Sequence, residues 1–327
     1  MIMKLQRLGS SDLNVTRIAY GCMGLGGGWE PSPLTEATRK EAIKILRTAL
    51  DSGINFFDHA DIYSLTKSEE VFSALWQEAP GIRDKIYIQS KCGIRPAGTP
   101  SPNSPHRFDF SYEHITTSVE GSLKRLKVDY LDVFLLHRPD PLMEPEEIAR
   151  VFDELYASGK VRWFGVSNHT AAQIELLRAY IRQPIVANQV AFNPLHTHLL
   201  DEGIIFNQDN PRLSRNDGTI EYCRLHHITL QAWGALAWGQ LTGRNIEHPT
   251  EKIKKAAQVV NELACEKNTS PEAIVVAWIL RHPAHIQAII GTTKPERIAA
   301  CCQADSIDLN REEWYRLFLA GRGEPMP

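Results

Sequence analysis

Short apolar runs alternate with longer segments of helical periodicity along most of the chain. The runs are apolar at nearly every position, as in V-F-L-L at Val133–Leu136 and A-I-I at Ala288–Ile290, which is typical of strands buried on both faces. Between them, apolar residues recur every three to four positions, as in the helix predicted from a Thr38 cap through Ser52. The pattern therefore predicts strands and helices in alternation.

The alternation predicts eight strands, each followed by a helix. The predicted strands are Ile18–Tyr20, Ile54–Phe57, Lys85–Ser90, Leu131–Leu136, Val161–Val166, Ile185–Gln189, Thr229–Ala232 and Ile286–Ile290. The predicted helices are Thr38–Ser52, Ser68–Gln77, Tyr112–Leu126, Pro145–Ser158, Ala171–Tyr180, Asp217–His226, Glu251–Lys267, Pro271–Arg281 and the closing helix Pro295–Ala304. This order is typical of the α/β class with a parallel sheet, and eight units at this length predict a closed (β/α)8 TIM barrel.

The segments outside this alternation predict an N-terminal β-hairpin over residues 3–16 and long loops at the C-terminal rim of the barrel. The predicted long loops are Pro96–Pro105, Phe192–Arg215 and Gly234–Pro249. No linker divides the chain, so residues 1–327 are expected to form a single domain. An open doubly wound sheet is the alternative, but the Gly21–Gly28 cluster lacks the G-x-G-x-x-G dinucleotide fingerprint.

Composition narrows the possible partners and the cellular location. With a net charge of −3 and no basic stripe, the chain is not expected to bind nucleic acid. It has no apolar run of membrane-spanning length and no signal peptide, which predicts a cytoplasmic protein without a membrane partner. Six cysteines without a C-x-x-C pattern indicate reduced thiols. Neither His196/His198 nor His226/His227 has nearby ligands at zinc spacing, so no metal site is predicted.

Four polar residues follow predicted strands and should meet at one rim of the barrel, where active sites of this fold lie. They are Asp58, Tyr63, Lys91 and His137. A lysine ammonium stabilises a tyrosine phenolate, an aspartate holds the lysine charged, and a histidine can orient a substrate oxygen. Such a group suits protonation of an alkoxide during carbonyl reduction, with the hydride supplied by a cofactor. Each residue alone has a structural explanation, such as helix capping by Asp58 or loop packing by Tyr63.

The segment G-T-T-K-P-E-R-I-A, Gly291–Ala299, is the candidate cofactor site. It joins the last strand to a helix that begins with Pro295, so backbone N–H groups and the helix dipole should face an anion there. Lys294 and Arg297 add positive charge suited to a 2′-phosphate, which predicts NADPH. Elsewhere on the rim, Asn168 and Gln189 are candidate partners for a carboxamide, and the Trp233 ring is a candidate to stack on nicotinamide or to pack in the core.

Six motifs together resemble the aldo-keto reductase superfamily, in particular bacterial members distant from aldose reductase. They are F-F-D-H-A-D-I-Y, S-K-C-G, L-L-H-R-P-D, G-K-V-R-W-F-G-V-S-N-H, N-Q-V-A-F-N-P and G-T-T-K-P-E-R-I. The resemblance implies an NADPH-dependent carbonyl reductase of small molecules. It implies Tyr63 as the general acid, Lys91 and Asp58 as its tuning pair and His137 as the substrate-orienting residue, and it suggests a monomer.

The resemblance and the rim positions together give the expected binding residues. The cofactor set is Gly21, Cys22, Met23, Asp58, Ser167, Asn168, Gln189, Trp233, Gly234, Ala235, Leu236, Gly291, Thr292, Thr293, Lys294 and Arg297. Trp29 and His137 are expected to contact substrate. The chain departs from the family pattern at Trp233, where many members have tyrosine, at Gly291, where many have lysine, and at Ala300 and Cys301, where Glu and Asn often contact adenine.

Two other functions fit parts of this pattern. One is a nucleotide-binding regulatory protein on the same barrel, as in the potassium-channel β subunits of the superfamily. The other is a barrel lyase that uses Lys91 as a Schiff-base nucleophile. The intact group of four argues against the first, and the candidate phosphate site at Lys294 has no role in the second.

Overall fold

The computed structural model describes residues 3–205 and 218–327. Eight parallel strands close into a barrel, and they follow one another around it in chain order. They are β3 (Ile18–Gly21), β4 (Phe56–Asp58), β5 (Tyr87–Cys92), β8 (Leu131–Leu136), β9 (Val161–Ser167), β10 (Ile185–Ala191), β11 (Thr229–Trp233) and β12 (Gln287–Ile290). The predicted (β/α)8 TIM barrel is confirmed.

Helices surround the barrel and cover the outer faces of the strands. They are α1 (Glu36–Asp51), α2 (Lys67–Phe72), α3 (Leu75–Glu78), α4 (Tyr112–Leu126), α5 (Pro145–Ala157), α6 (Ala171–Arg178), α7 (His198–Ile204), α8 (Thr219–Leu225), α9 (Glu251–Glu266), α10 (Pro271–Leu280), α11 (Pro295–Cys302) and α12 (Arg311–Arg322). The apolar layer between helices and strands forms the larger of two hydrophobic cores. Within the described residues, no helix is long and apolar enough to cross a membrane.

The predicted N-terminal hairpin is present as β1 (Leu5–Arg7) and β2 (Asn14–Thr16), which pair antiparallel. Its side chains Leu8 and Leu13 are buried and pack with residues of the barrel interior, which form the second core. Gly9 has a φ of +54°, and a Cβ there would lie 2.2 Å from the Val186 carbonyl oxygen. The turn therefore requires glycine where the hairpin closes against the strands.

Several predicted boundaries differ from the structure. Helix α1 begins one residue after its cap Thr35, whose side chain accepts a hydrogen bond from the Thr38 N–H. Thr38 is thus the third helical residue and not the cap. The helix predicted over Ser68–Gln77 is divided into α2 and α3. Strand β5 extends through Cys92 and begins at Tyr87, so Lys91 lies within a strand.

Four elements were not expected from the sequence. Helix α7 lies within the predicted irregular segment Phe192–Arg215, and the rest of that segment after residue 205 lies outside the described residues. Two-residue strands β6 (Ile94–Arg95) and β7 (Arg107–Phe108) flank the predicted loop Pro96–Pro105. Helix α12 follows the helix predicted to close the chain. The predicted start of α8 at Asp217 also lies outside the described residues.

Candidate active site

A cavity of about 570 Å³ opens at the carboxyl ends of the barrel strands, and most of the predicted site residues line it. The predicted residues in its wall are Gly21, Met23, Asp58, Tyr63, His137, Ser167, Asn168, Gln189, Trp233, Gly234, Ala235, Leu236, Gly291, Thr292, Thr293, Lys294 and Arg297. The cavity therefore brings together residues that are separated by more than half of the chain.

Three predicted residues do not line this cavity. Lys91 is fully buried behind it. The Cys22 side chain is also fully buried and belongs to the outer hydrophobic core. Trp29 is half exposed and lies outside the cavity wall.

Lys91 and Asp58 form a buried ion pair at the base of the cavity. Asp58 is the last residue of β4, and the neighbouring strand β5 carries Lys91. The Lys91 ammonium donates to Asp58 Oδ1 at 2.6 Å and to the His59 carbonyl at 2.6 Å. Burial alone would lower the pKa of Lys91, but Asp58 and then Tyr63 outweigh it and raise that pKa. Lys91 is therefore held as an ammonium.

A row of glutamines supports Asp58 from inside the barrel. Gln89 and Gln189 each donate an amide N–H to Asp58 Oδ1, at 2.6 Å and 3.0 Å. Gln89 also donates to Gln231, which donates to Gln287. The carboxylate is thus held by amide donors as well as by the ammonium, which fixes its position.

Tyr63 lies on the loop after β4, above the ion pair. The Lys91 Nζ atom is 5.0 Å from the centroid of its ring. Burial raises the pKa of Tyr63 above its usual 10, while Lys91 acts in the opposite direction. The sequence predicted the lowering effect of the lysine, but in the structure burial is the larger influence, and the phenol keeps its proton at neutral pH.

His137 directly follows β8 and faces Tyr63, with the two ring centroids 5.9 Å apart. Burial, Lys91 and Arg138 lower its pKa well below 6.5. The imidazole is therefore neutral at physiological pH. Its Nδ1 atom is buried and has no hydrogen-bond partner among the described residues.

Ser167, Asn168 and Trp233 form a hydrogen-bonded part of the cavity wall next to His137, whose backbone carbonyl accepts from the Asn168 side chain at 3.2 Å. Asn168 donates to Ser167 Oγ at 2.8 Å, and its own carbonyl oxygen accepts from the Trp233 indole at 3.0 Å. The Arg138 guanidinium lies 5.4 Å from the Trp233 ring centroid. These contacts fix the plane of the indole at the edge of the cavity.

Positive side chains line the far end of the cavity. Lys294 occupies the N-cap position of α11, but its side chain makes no capping hydrogen bond and is exposed. Arg297 donates from Nε to Glu272 at 2.9 Å and also contacts Thr242. Part of its charge is therefore neutralised within the protein, which sequence spacing did not reveal.

The structure also adds residues that the sequence reasoning missed. The additional cavity residues are Arg138, Trp238, Gly239, Arg244 and Ile289. Arg138 directly follows His137 in the motif L-L-H-R-P-D. Its position next to a predicted site residue could have identified it as a candidate for the cavity wall.

Comparison with known proteins agrees with this geometry. The sequence profile of the Aldo/keto reductase family matches residues 17–318. The oxidoreductase YcsN of Bacillus subtilis is 35% identical over 323 residues, covering 97% of this chain and 98% of that protein. A 6-dehydroglucose reductase of Agrobacterium fabrum is 32% identical over 322 residues, covering 98% of this chain and 99% of that protein.

Solved structures give the same result. The glycerol dehydrogenase of Gluconobacter oxydans matches with a TM-score of 0.79 at 25% identity, covering 100% of this chain and 98% of that one. The extent of these matches, together with the barrel and its rim cavity, leads to one conclusion. This chain belongs to the aldo/keto reductase family and is an oxidoreductase that acts on the carbonyl groups of small molecules.

Proposed function

We propose that the chain uses NADPH to reduce aldehydes or ketones to alcohols, with Tyr63 as the general acid. The observation that carries this proposal is the buried ion pair of Lys91 and Asp58, 2.6 Å apart, directly beneath the Tyr63 ring. We further propose that residues 1–327 form one domain, since the eight strands close a single barrel.

Tyr63 supplies the proton. Because burial raises its pKa, the phenol is protonated at neutral pH and can donate to the oxygen of a bound carbonyl. As the phenolate forms, the fixed charge of Lys91 stabilises it, and Asp58 keeps the lysine charged and in place.

His137 orients the substrate. Its neutral imidazole carries one N–H and lies beside Tyr63 in the cavity wall. The two groups can therefore bind one carbonyl oxygen between them, so that proton transfer from Tyr63 begins from a fixed geometry.

The residues at the cavity fit a nicotinamide dinucleotide phosphate. When bound, NADPH supplies the hydride that no side chain can provide. The Trp233 indole, fixed by Asn168, offers a flat face for a nicotinamide ring. At the other end, Lys294 offers a full positive charge to the 2′-phosphate, whereas Arg297 already shares its charge with Glu272.

The lyase alternative is disfavoured by the position of Lys91. A Schiff-base lysine must reach the substrate as a neutral amine. Lys91 is fully buried, lies outside the cavity wall and is held charged by Asp58. A regulatory protein would keep the cofactor site but would show no turnover.

Titration with NADPH and NADH, followed by quenching of tryptophan fluorescence, tests the proposal together with a screen of aldehydes and ketones. Binding that prefers NADPH, with oxidation of NADPH by a carbonyl substrate, is expected. NADPH binding without turnover on any carbonyl would favour the regulatory alternative. Failure to bind either nucleotide, with borohydride trapping of a carbonyl on Lys91, would favour the lyase.

A further inference from the structure

A second group of polar side chains lies next to the candidate active site but outside its cavity. Asp61 lies on the loop after β4, Cys92 ends β5, and His114 is in the first turns of α4. Their potential ligand atoms all lie within 4.8 Å of one another. Spacing along the chain does not predict this group, because each residue comes from a different element.

Two of these three side chains present buried atoms without a partner. Asp61 is 7% exposed, and its Oδ1 has no hydrogen-bond partner among the described residues. The His114 Nε2 atom is also buried and has no hydrogen-bond partner among the described residues. Asp61 and His114 each contribute a potential ligand atom to this group. Because buried polar atoms are nearly always paired, their unpaired atoms leave capacity for a ligand that binds both side chains.

We propose that Asp61, Cys92 and His114 bind a divalent transition metal, with zinc as the best match. One thiolate, one imidazole and one carboxylate are ligands that zinc accepts together, with water in the fourth position. Ligand atoms around a tetrahedral zinc lie about 3 to 4 Å apart, so the three side chains need to close by only about 1 Å.

The charge of the complex also suits a buried site. When Zn²⁺ binds, the Cys92 thiol releases its proton to solvent and Asp61 binds as the carboxylate. One dication with two anionic ligands gives a neutral complex, which is the form that burial penalises least.

The site would connect α4 to the strand that carries Lys91. Cys92 follows Lys91 in the chain, and the Asp61 N–H donates to the Lys91 carbonyl at 2.9 Å. None of the three proposed ligands lines the cavity. The metal would therefore act on the framework behind the active site and not on the substrate.

The test measures zinc affinity of the chelator-treated full chain by competition with a chromophoric chelator, using Zn²⁺ alone. Cys92→Ser and His114→Gln are each expected to weaken binding by more than about 100-fold, since loss of an outer-shell partner alone weakens it by about 10- to 100-fold. Co²⁺ in place of Zn²⁺ should give a thiolate-to-cobalt absorption band that Cys92→Ser abolishes.

Two control variants separate this site from others in the chain. Cys265 is an exposed thiol, and the His196 and His198 rings lie 3.7 Å apart, which makes them the rival zinc ligands. Cys265→Ser and His198→Gln should leave the affinity unchanged. Zinc binding that is lost in His198→Gln and retained in His114→Gln would overturn the proposal, as would no binding at all. If circular dichroism shows that Cys92→Ser does not fold, zinc binding by Asp61→Asn and His114→Gln tests the proposal instead. Retention of binding in both variants would then overturn it.

Discussion

Removing the Lys91 ammonium should destabilise the chain strongly, because Asp58 would stay buried without its ion-pair partner. Lys91→Met keeps the volume and removes the charge. Breaking a buried ion pair by deleting one partner typically costs about 3–5 kcal/mol. Gln89 and Gln189 still donate to Asp58 Oδ1 in the variant. We therefore expect the lower end, about 3 kcal/mol of unfolding free energy.

The assay is urea unfolding of the wild type, Lys91→Met, Asp58→Asn and the double variant, followed by circular dichroism. The double variant has no uncompensated charge, so it should be more stable than the sum of the single losses predicts. Lys160→Met is the control, because its ion pair with Glu120 is substantially exposed and should contribute at most about 1 kcal/mol. Equal losses for Lys91→Met and Lys160→Met, with additive effects in the cycle, would refute the reasoning.

Three further predictions concern the cofactor and the fold. Lys294→Ala combined with Arg297→Ala should weaken the binding of NADPH about 10- to 100-fold and that of NADH little, because charge-assisted contacts contribute about 1.5–3 kcal/mol. An unchanged ratio of the two affinities in nucleotide titrations would contradict the phosphate assignment. Burial, then Lys91, lowers the pKa of His59 from 6.5 to about 3, so the unfolded chain takes up a proton below pH 6.5 that the folded chain refuses. The free energy of unfolding should therefore fall as the pH drops, and His59 should account for about 2 kcal/mol of this loss at about pH 5. In urea unfolding, His59→Phe should remove that part of the pH dependence. Gly9→Ala should lower the melting temperature more than Gly81→Ala, since both have positive φ but only Gly9 meets backbone atoms; equal shifts would contradict a steric role for the hairpin turn.

The barrel was predictable because its strands are apolar on nearly every position and its helices have clear periodicity. Strands buried on both faces produce this signal regardless of the detailed packing. The polar residues at strand ends were visible for the same reason, since Asp58 and His137 interrupt or follow apolar runs.

Features that depend on tertiary contacts were not predictable. Helix α12 is held by reciprocal hydrogen bonds in which the Trp278 and Trp314 indoles each donate to the other residue's carbonyl, at 3.1 Å and 3.0 Å. The sequence of α12 alone did not reveal that it packs against Trp278 of α10. Thr35 and Thr38 both satisfy the preference for a helix cap, and only backbone geometry distinguishes them.

The charge at the candidate phosphate site also depends on a tertiary contact that the sequence did not predict. Lys294 and Arg297 are equivalent cations in the sequence, but Glu272, on another helix, pairs with only one of them. Likewise, Gln231 and Gln287 are polar residues in largely apolar strands. Their role appears only when the barrel aligns them with Gln89, which donates to Asp58.

The central claim is that Tyr63 donates the proton, and the variant Tyr63→Phe tests it most directly. The substitution removes the hydroxyl and keeps the ring that packs near His137 and Lys91. With a carbonyl substrate found in the screen, kcat should fall by about 10²- to 10⁴-fold, the usual contribution of a general acid. The NADPH dissociation constant should change by less than about threefold, and Tyr180→Phe, at an exposed tyrosine, should match the wild type in both measurements. Retention of kcat within about tenfold, or an equal loss of turnover and NADPH binding, would contradict the account.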